Sequence, residues 1–278
     1  QKIKKCLQFF TKLNRGFLST RDDYFFISTS LPLKSELALQ VKLGQIPKIW
    51  EKISIPKSSI QIEKRKWKLN YNKKLKDKFV SIACNLIPLN VPIAYLEGYN
   101  SLLQIPKKNK WPNSPKVIFT SNAYIADDVA KIYTAEKVEK KTKLIIGQHG
   151  GHMGTSPFAY HEEHQITISD KWLSWGWKDK KRQNIMPFGN FRISGRNVSH
   201  NPKGEAIMIE GVFPRYSYHI MAMVISSQWL YYFEDQINFL RALPSDLQKR
   251  INVRLYPHDY GFDQIERWTE SGLNVKFE

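Results

Sequence analysis

The stretch KLIIGQHGGHMGTSPFAYHEEH, residues 143–164, sets four histidines (149, 152, 161 and 164) and two adjacent acids directly behind a short apolar run. Helix and strand propensities do not select such a collection, so the segment is read for its chemistry. Imidazole titrates near neutral pH and can take a proton from a hydroxyl or donate one to a phosphate oxygen. Gly147, Gly150, Gly151 and Gly154 let backbone approach a ligand closely, which leaves Gln148, His149 and His152 as the side chains on offer. His149, nearest the end of the apolar run, is the first candidate for a general base. His152, Glu162 and Glu163 are the other catalytic candidates, and Gln148, Gly150 and Gly151 are candidates for holding substrate. The two acids could instead orient an imidazole or begin a helix, and the histidines could cap a tight turn. Two H-x-x-H pairs raise a metal site, but HEEH lacks the i, i+4 histidine spacing of the H-E-x-x-H zinc helix, so no metal is assigned.

Three further polar clusters follow short apolar runs: SNAY (121–124), EGVFPRY (210–216) and PHDYG (257–261). Arg215 stands between a strand-like run and a helix-like one, a place suited to an anion clamp of guanidinium and helix N-terminus. Tyr216 beside it, Asn122, Arg254 inside a strand-like run, and His258 with Asp259 complete this group of candidate substrate-binding residues. The tryptophans of WLSWGW read as packing. G-x-G-x-x-G, Walker A, G-x-S-x-G and C-x-x-C motifs are absent, which removes the sequence support for the common dinucleotide, NTPase, hydrolase and redox readings.

The elements that must position these residues repeat one grammar: a β-branched or aromatic run, a polar or Gly-containing cluster, then a helical pattern. DYFFISTSLP precedes a leucine-spaced stretch that stops at Gly44, and KVIFTSNAYIADDVAKIYTAEKV gives a strand, a cap, two early acids and an apolar stripe. KLIIG, EAIMI and NVRLY begin three more such units. Alternating strands and helices predict parallel α/β sheets of the doubly wound, Rossmann-like kind, in which ligands sit beyond the carboxyl ends of the strands. MPFGNFRISGRNVSHNPKGE (186–205) changes texture to Gly, Asn, Ser and Pro, which marks a linker. The predicted organisation is an amino-terminal domain over 1–186, a linker over 187–203 and a partial carboxyl-terminal domain over 204–278 whose long helix spans about 217–243. Gln1 at the start and the strand-like NVKFE at the end suggest a fragment.

In 278 residues, 42% are hydrophobic and 13% aromatic, which suits a globular protein and argues against disorder. Forty-three basic residues against 25 acidic give +18, with lysine scattered widely, and no nucleic-acid surface is assigned. The densest run, KRKWKLNYNKKLKDK (64–78), reads as a solvated helix face or connector, or else as a membrane-surface patch. Two cysteines, Cys6 and Cys84, are too few for a disulfide framework and point to a reducing compartment. The longest apolar stretch, 219–233, is shorter than a membrane span. The expectation is a cytoplasmic protein, peripheral at the inner face of the cytoplasmic membrane.

PLNVPIAYLEGY (88–99), KVIFTSNAYIADD, GQHGGHMG with FAYHEEHQITISDKWLSWGW, GVFPRYSY and VRLYPHDYG resemble, in order, the motifs of a family of transferases associated with surface-polysaccharide and O-antigen synthesis. The resemblance covers most of 88–265 and brings Glu97, in YLEGY, into the candidate substrate-binding set. It implies a GT-B-like glycosyltransferase with two Rossmann-like domains, the histidine loop on the acceptor side and Arg215, Arg254 and His258 on the donor side. It implies no cofactor beyond a nucleotide-activated sugar as co-substrate, and a glycan or lipid-linked glycan as acceptor. Two other readings stay open: a non-catalytic carbohydrate- or nucleotide-binding module, and a metal-dependent hydrolase built on the four histidines.

Overall fold

A computed structural model of the chain describes residues 23–69, 77–150, 152–156, 159–197, 199–216 and 226–278. Cys6, Gly151, the middle of the lysine-rich run and the first part of the helix expected over 217–243 lie outside the described residues. The chain divides into two compact units, 1–196 and 197–278.

In the first unit, β1 (Tyr24–Ile27), β2 (Val117–Thr120), β3 (Lys143–Gly147), β4 (Lys171–Ser174) and β5 (Ile185–Pro187) form one sheet, and every neighbouring pair is parallel. Parallel neighbours need crossovers, and helices supply them. They are α1 (Leu33–Lys42), α2 (Lys78–Asn90), α3 (Tyr99–Lys108), the short α4 (Ala123–Ala126), α5 (Asp128–Glu139) and α6 (Tyr160–Ile168). Alternation along the strands sends Phe25, Ile27, Ile118, Leu144, Ile146 and Trp172 to one face, where they bury Leu102 and Ile105 of α3, Val129 and Tyr133 of α5, and Ile166 of α6. The opposite face carries a smaller cluster of Phe26, Phe119 and Phe191.

α/β architecture with parallel sheets is therefore present, but the doubly wound order is not seen among the described strands. They follow chain order, β1-β2-β3-β4-β5, with no reversal. Crossovers of one hand that advance in one direction lay their helices on one face, in keeping with the unequal size of the two clusters. The stretch read as a linker also divides differently. Phe191 within it is buried, with its ring 5.6 Å from that of Phe119, so the first part of 187–203 belongs to the first unit.

The second unit pairs β6 (Ala206–Ile209), β7 (Ile251–Arg254) and β8 (Lys276–Phe277) in a parallel sheet of that order. Its helices are α7 (Trp229–Ala242), α8 (Ser245–Gln248) and α9 (Gln264–Glu270). Trp229, Phe233 and Leu240 recur at helical spacing on α7 and pack with Val253, Phe262 and Trp268. No described helix is long and apolar enough to cross a membrane.

Candidate functional site

All four polar clusters follow the carboxyl ends of parallel strands: SNAY after β2, GQHGG at the end of β3, EGVFPRY after β6 and PHDYG after β7. In the histidine loop the backbone is set before any ligand arrives. A Cβ on Gly147 would lie 2.7 Å from the Phe191 ring and 3.1 Å from Ser121 Oγ, so only glycine fits there. A Cβ on Gly154, whose φ is +81°, would meet the Trp177 ring at 2.5 Å.

Gln148, expected to offer its amide to substrate, spends it on the fold. The side chain is buried; Oε1 accepts from Trp175 N at 2.8 Å and Trp177 Nε1 at 3.1 Å. Nε2 donates to Gly150 O at 2.7 Å and to Met153 O at 3.3 Å, while Gln148 O accepts from Trp175 Nε1 at 2.9 Å. A primary amide has two donors and two acceptor sites, and all four are used. The GQHGG and SWGW motifs are thus two halves of one knot, and Gln148 acts through the loop that it shapes. Trp172 of the same motif is core, as the packing reading expected.

His149, the next residue, is half-buried. Burial lowers its pKa, and the nearby His152, Arg192 and His161 push it the same way. Nδ1 is shielded without a hydrogen-bond partner, so the imidazolium would strand a buried donor. Both effects disfavour the protonated ring. Tyr124, after β2, sets its ring 6.3 Å from that of His149 and 6.4 Å from that of His164, and its hydroxyl is likewise buried without a partner.

His152 is exposed, and so is His164 on α6. Glu162 Oε2 accepts the backbone N–H of Gly154 at 2.6 Å, and Glu163 pairs with Arg182 at 2.7 Å. Both acids stand in the first turn of α6, where the macrodipole favours them. Among the described residues no three His, Cys, Asp or Glu side chains are grouped as metal ligands.

Beside this loop lies a polar pocket of about 460 Å³ lined by Ser28, Thr29 and Ser30 after β1, Glu36 on α1, Trp50, Asn122 and Arg192. Ser28 and Ser30 hold φ of 48° and 58°, unusual for residues with a Cβ. Asn122, a sequence candidate, is exposed on this wall. Arg192 joins the pocket to His149, on which its charge acts. Sequence reasoning missed the serines, Trp50 and Arg192, although STS after YFFI obeys the same strand-end rule as SNAY. A separate pocket of about 480 Å³ is apolar, runs along α5, and has Tyr124 and His164 on its wall.

Glu97 is engaged elsewhere. Its oxygens receive Arg65 Nε and Nη2, both at 2.8 Å, and its side chain is wholly buried. The guanidinium holds its carboxyl down at about 2. Arg65 also donates to Pro88 O and Leu89 O at the end of α2, so the pair is a bracket between segments.

In the second unit, Arg215 Nη1 donates to Gly261 O at 3.0 Å and lines a pocket of about 390 Å³ with Tyr216, Ser227, Phe262 and Arg267. Arg267, on α9, gave no signal in the sequence. Asp259 is consumed locally: its oxygens accept Gly261 N, Asp263 N and Gln264 N at 2.8–3.0 Å. Arg254 pairs with Glu278, and His258 is exposed between Tyr256 and Tyr260.

Glu210, also missed, closes β6 with a buried carboxyl. Oε2 accepts Trp268 Nε1 at 3.2 Å and Oε1 has no partner, and burial pushes the pKa from 4.5 up to about 7. The folded state thus binds this proton more tightly than the unfolded chain does. The stability it contributes is complete below about pH 4.5 and is lost as pH rises through about 7. Glu210→Gln is therefore expected to stabilise the second unit by roughly 2 kcal/mol at about pH 8 and by much less near the acid end. Denaturant unfolding at the two pH values checks this, and an equal effect at both would contradict it.

A family model described as LIC12162 family transferase matches the chain over residues 1–278. No curated protein and no solved structure matches it.

Proposed function

The chain belongs to the LIC12162 family of transferases, and we propose that the group it transfers is a sugar, or a Kdo- or polyol-phosphate-like group, carried from a nucleotide-activated donor to a cell-envelope polysaccharide acceptor. In this reading the two α/β units correspond to the two Rossmann-like domains of a GT-B-like enzyme. The observation that carries the proposal is the half-buried imidazole of His149, held at the carboxyl end of a parallel sheet beside a pocket rich in hydroxyl, amide and guanidinium groups.

Ser28, Ser30 and Asn122 suit the hydroxyls of a glycan, and Arg192 suits an acidic or phosphorylated substituent on it. His149 takes the proton of the attacking hydroxyl as the new glycosidic or phosphodiester bond forms. A base works best when its other ring nitrogen is held. The buried Tyr124 hydroxyl, without a partner like His149 Nδ1 and on a neighbouring ring, is the candidate for that hold. Arg215 and Arg267, which line a pocket within the second unit, suit the phosphates of the nucleotide donor. His152 remains a secondary candidate. Glu162 and Glu163 shape and orient the loop, and Gln148 with Gly150 fixes its backbone.

The test is thermal-shift screening of full-length protein against CMP, UDP, GDP and CDP. Binding to the native state raises apparent stability by about 2.7 kcal/mol at a hundredfold the dissociation constant, so one of the four should give a clear shift. If none stabilises the protein, the nucleotide-activated donor is the wrong class.

A further inference from the structure

α2 is built the wrong way round for a helix that serves only its own fold. Its sequence, KFVSIACNLIPLN, is apolar on most sides, yet Pro88 is its buried residue. Successive residues on a helix turn by about 100°, so Phe79, Ile82, Leu86 and Leu89 share one side. That side faces solvent: the four are 76%, 58%, 48% and 60% exposed. An apolar helical face of this kind marks an interaction surface.

The surroundings decide what it meets. Arg65 donates to the carbonyls of Pro88 and Leu89, which ties the segment carrying Lys64, Lys66, Lys68 and Trp67 to the end of α2. Lys78 stands at its start, and these four lysines are exposed. Ile62, 70% exposed, and Trp67, 40% exposed, add apolar surface among them. The acids of this region are engaged: Glu63 pairs with Lys66 at 2.6 Å, Glu97 with Arg65, and Asp77 caps α2 by accepting Phe79 N at 2.8 Å.

We infer that α2 and the lysine-bearing segment before it form a docking surface for an anionic lipid membrane, with the Phe79–Leu89 stripe entering the headgroup and acyl boundary and the lysines meeting lipid phosphates. An apolar stripe, an interfacial tryptophan and snorkelling lysines are the components of such a surface. A second copy of the chain would bring the same positive charge against itself. The inference goes beyond the proposed reaction and does not depend on which group is transferred.

Co-sedimentation of the full-length protein with vesicles of phosphatidylcholine alone, or mixed with phosphatidylglycerol, tests it. The protein should pellet with the anionic vesicles, and much less so when salt is raised from about 0.1 to about 0.5 M. The double variant Ile82→Asp, Leu86→Asp should bind at least about tenfold more weakly with its unfolding temperature unchanged, because both residues are exposed. Equal binding by the variant, equal binding to both vesicle types, or no binding overturns the inference. So does concentration-dependent self-association that the same variant abolishes, which would give the surface to a second copy.

Discussion

His149→Ala is expected to lower turnover by about 10²- to 10⁴-fold, the usual contribution of a general base, while the protein stays folded. The residue is half-buried and accepts no load from the knot around Gln148, so its loss removes chemistry and leaves the loop standing. The pH profile adds a second signature. Because burial, and then its charged neighbours, lower the His149 pKa, the acid limb of kcat/KM should have its midpoint below 6.5, and activity should be lost as pH falls through it. His164→Ala should cost far less, since His164 is exposed on α6 and faces the apolar pocket. Near-normal turnover in His149→Ala would make the loop a positioning device and move the search for the base to His152.

Gln148→Ala should act through stability. The substitution strands Trp175 N and Trp177 Nε1 without their acceptor and removes the donors to Gly150 O and Met153 O. An orphaned buried polar group costs about 1–3 kcal/mol, and the loss of this knot should destabilise the first unit by roughly 3 kcal/mol. Activity should fall with it, because His149 follows directly in the chain. Urea unfolding measures the effect; a change below about 0.5 kcal/mol would show that the knot is dispensable. Gln148→Glu separates shape from hydrogen bonding: it keeps the acceptor toward both tryptophans and loses both donors.

These two residues also show how far the sequence could be read. Short apolar runs closed by polar clusters located β1, β2, β3, β6 and β7, because the strands of a parallel sheet are rich in apolar residues and their carboxyl ends need turn residues. The leucine spacing and Gly44 placed α1, which ends at Lys42. Strand order was not legible, since each βαβ unit looks alike whichever side of the last strand the next one joins. Within the loop, residue types marked the place and not the roles. Gln148 and His149 are adjacent polar residues, yet the partners that consume one of them lie 27 and 29 positions away. Glu97 stood in a conspicuous motif, and only folding brings Arg65 to it from 32 residues away. Arg192 and Arg267 are single arginines in unremarkable surroundings, and nothing local distinguishes them from surface charge.

The measurement closest to the central claim is the affinity of the full-length protein for the nucleoside mono- or diphosphate that stabilises it, titrated into wild type, Arg215→Ala and His149→Ala by calorimetry. Arg215 lines the pocket assigned to the donor phosphates, and a hydrogen bond to a charged group contributes about 1.5–3 kcal/mol. Arg215→Ala should therefore raise Kd by about 10- to 100-fold, while His149→Ala, in the other unit, should leave it unchanged. An unchanged Kd in Arg215→Ala, or a Kd that depends on His149 and not on Arg215, would contradict the division of labour between a donor-binding second unit and a first unit that carries the base.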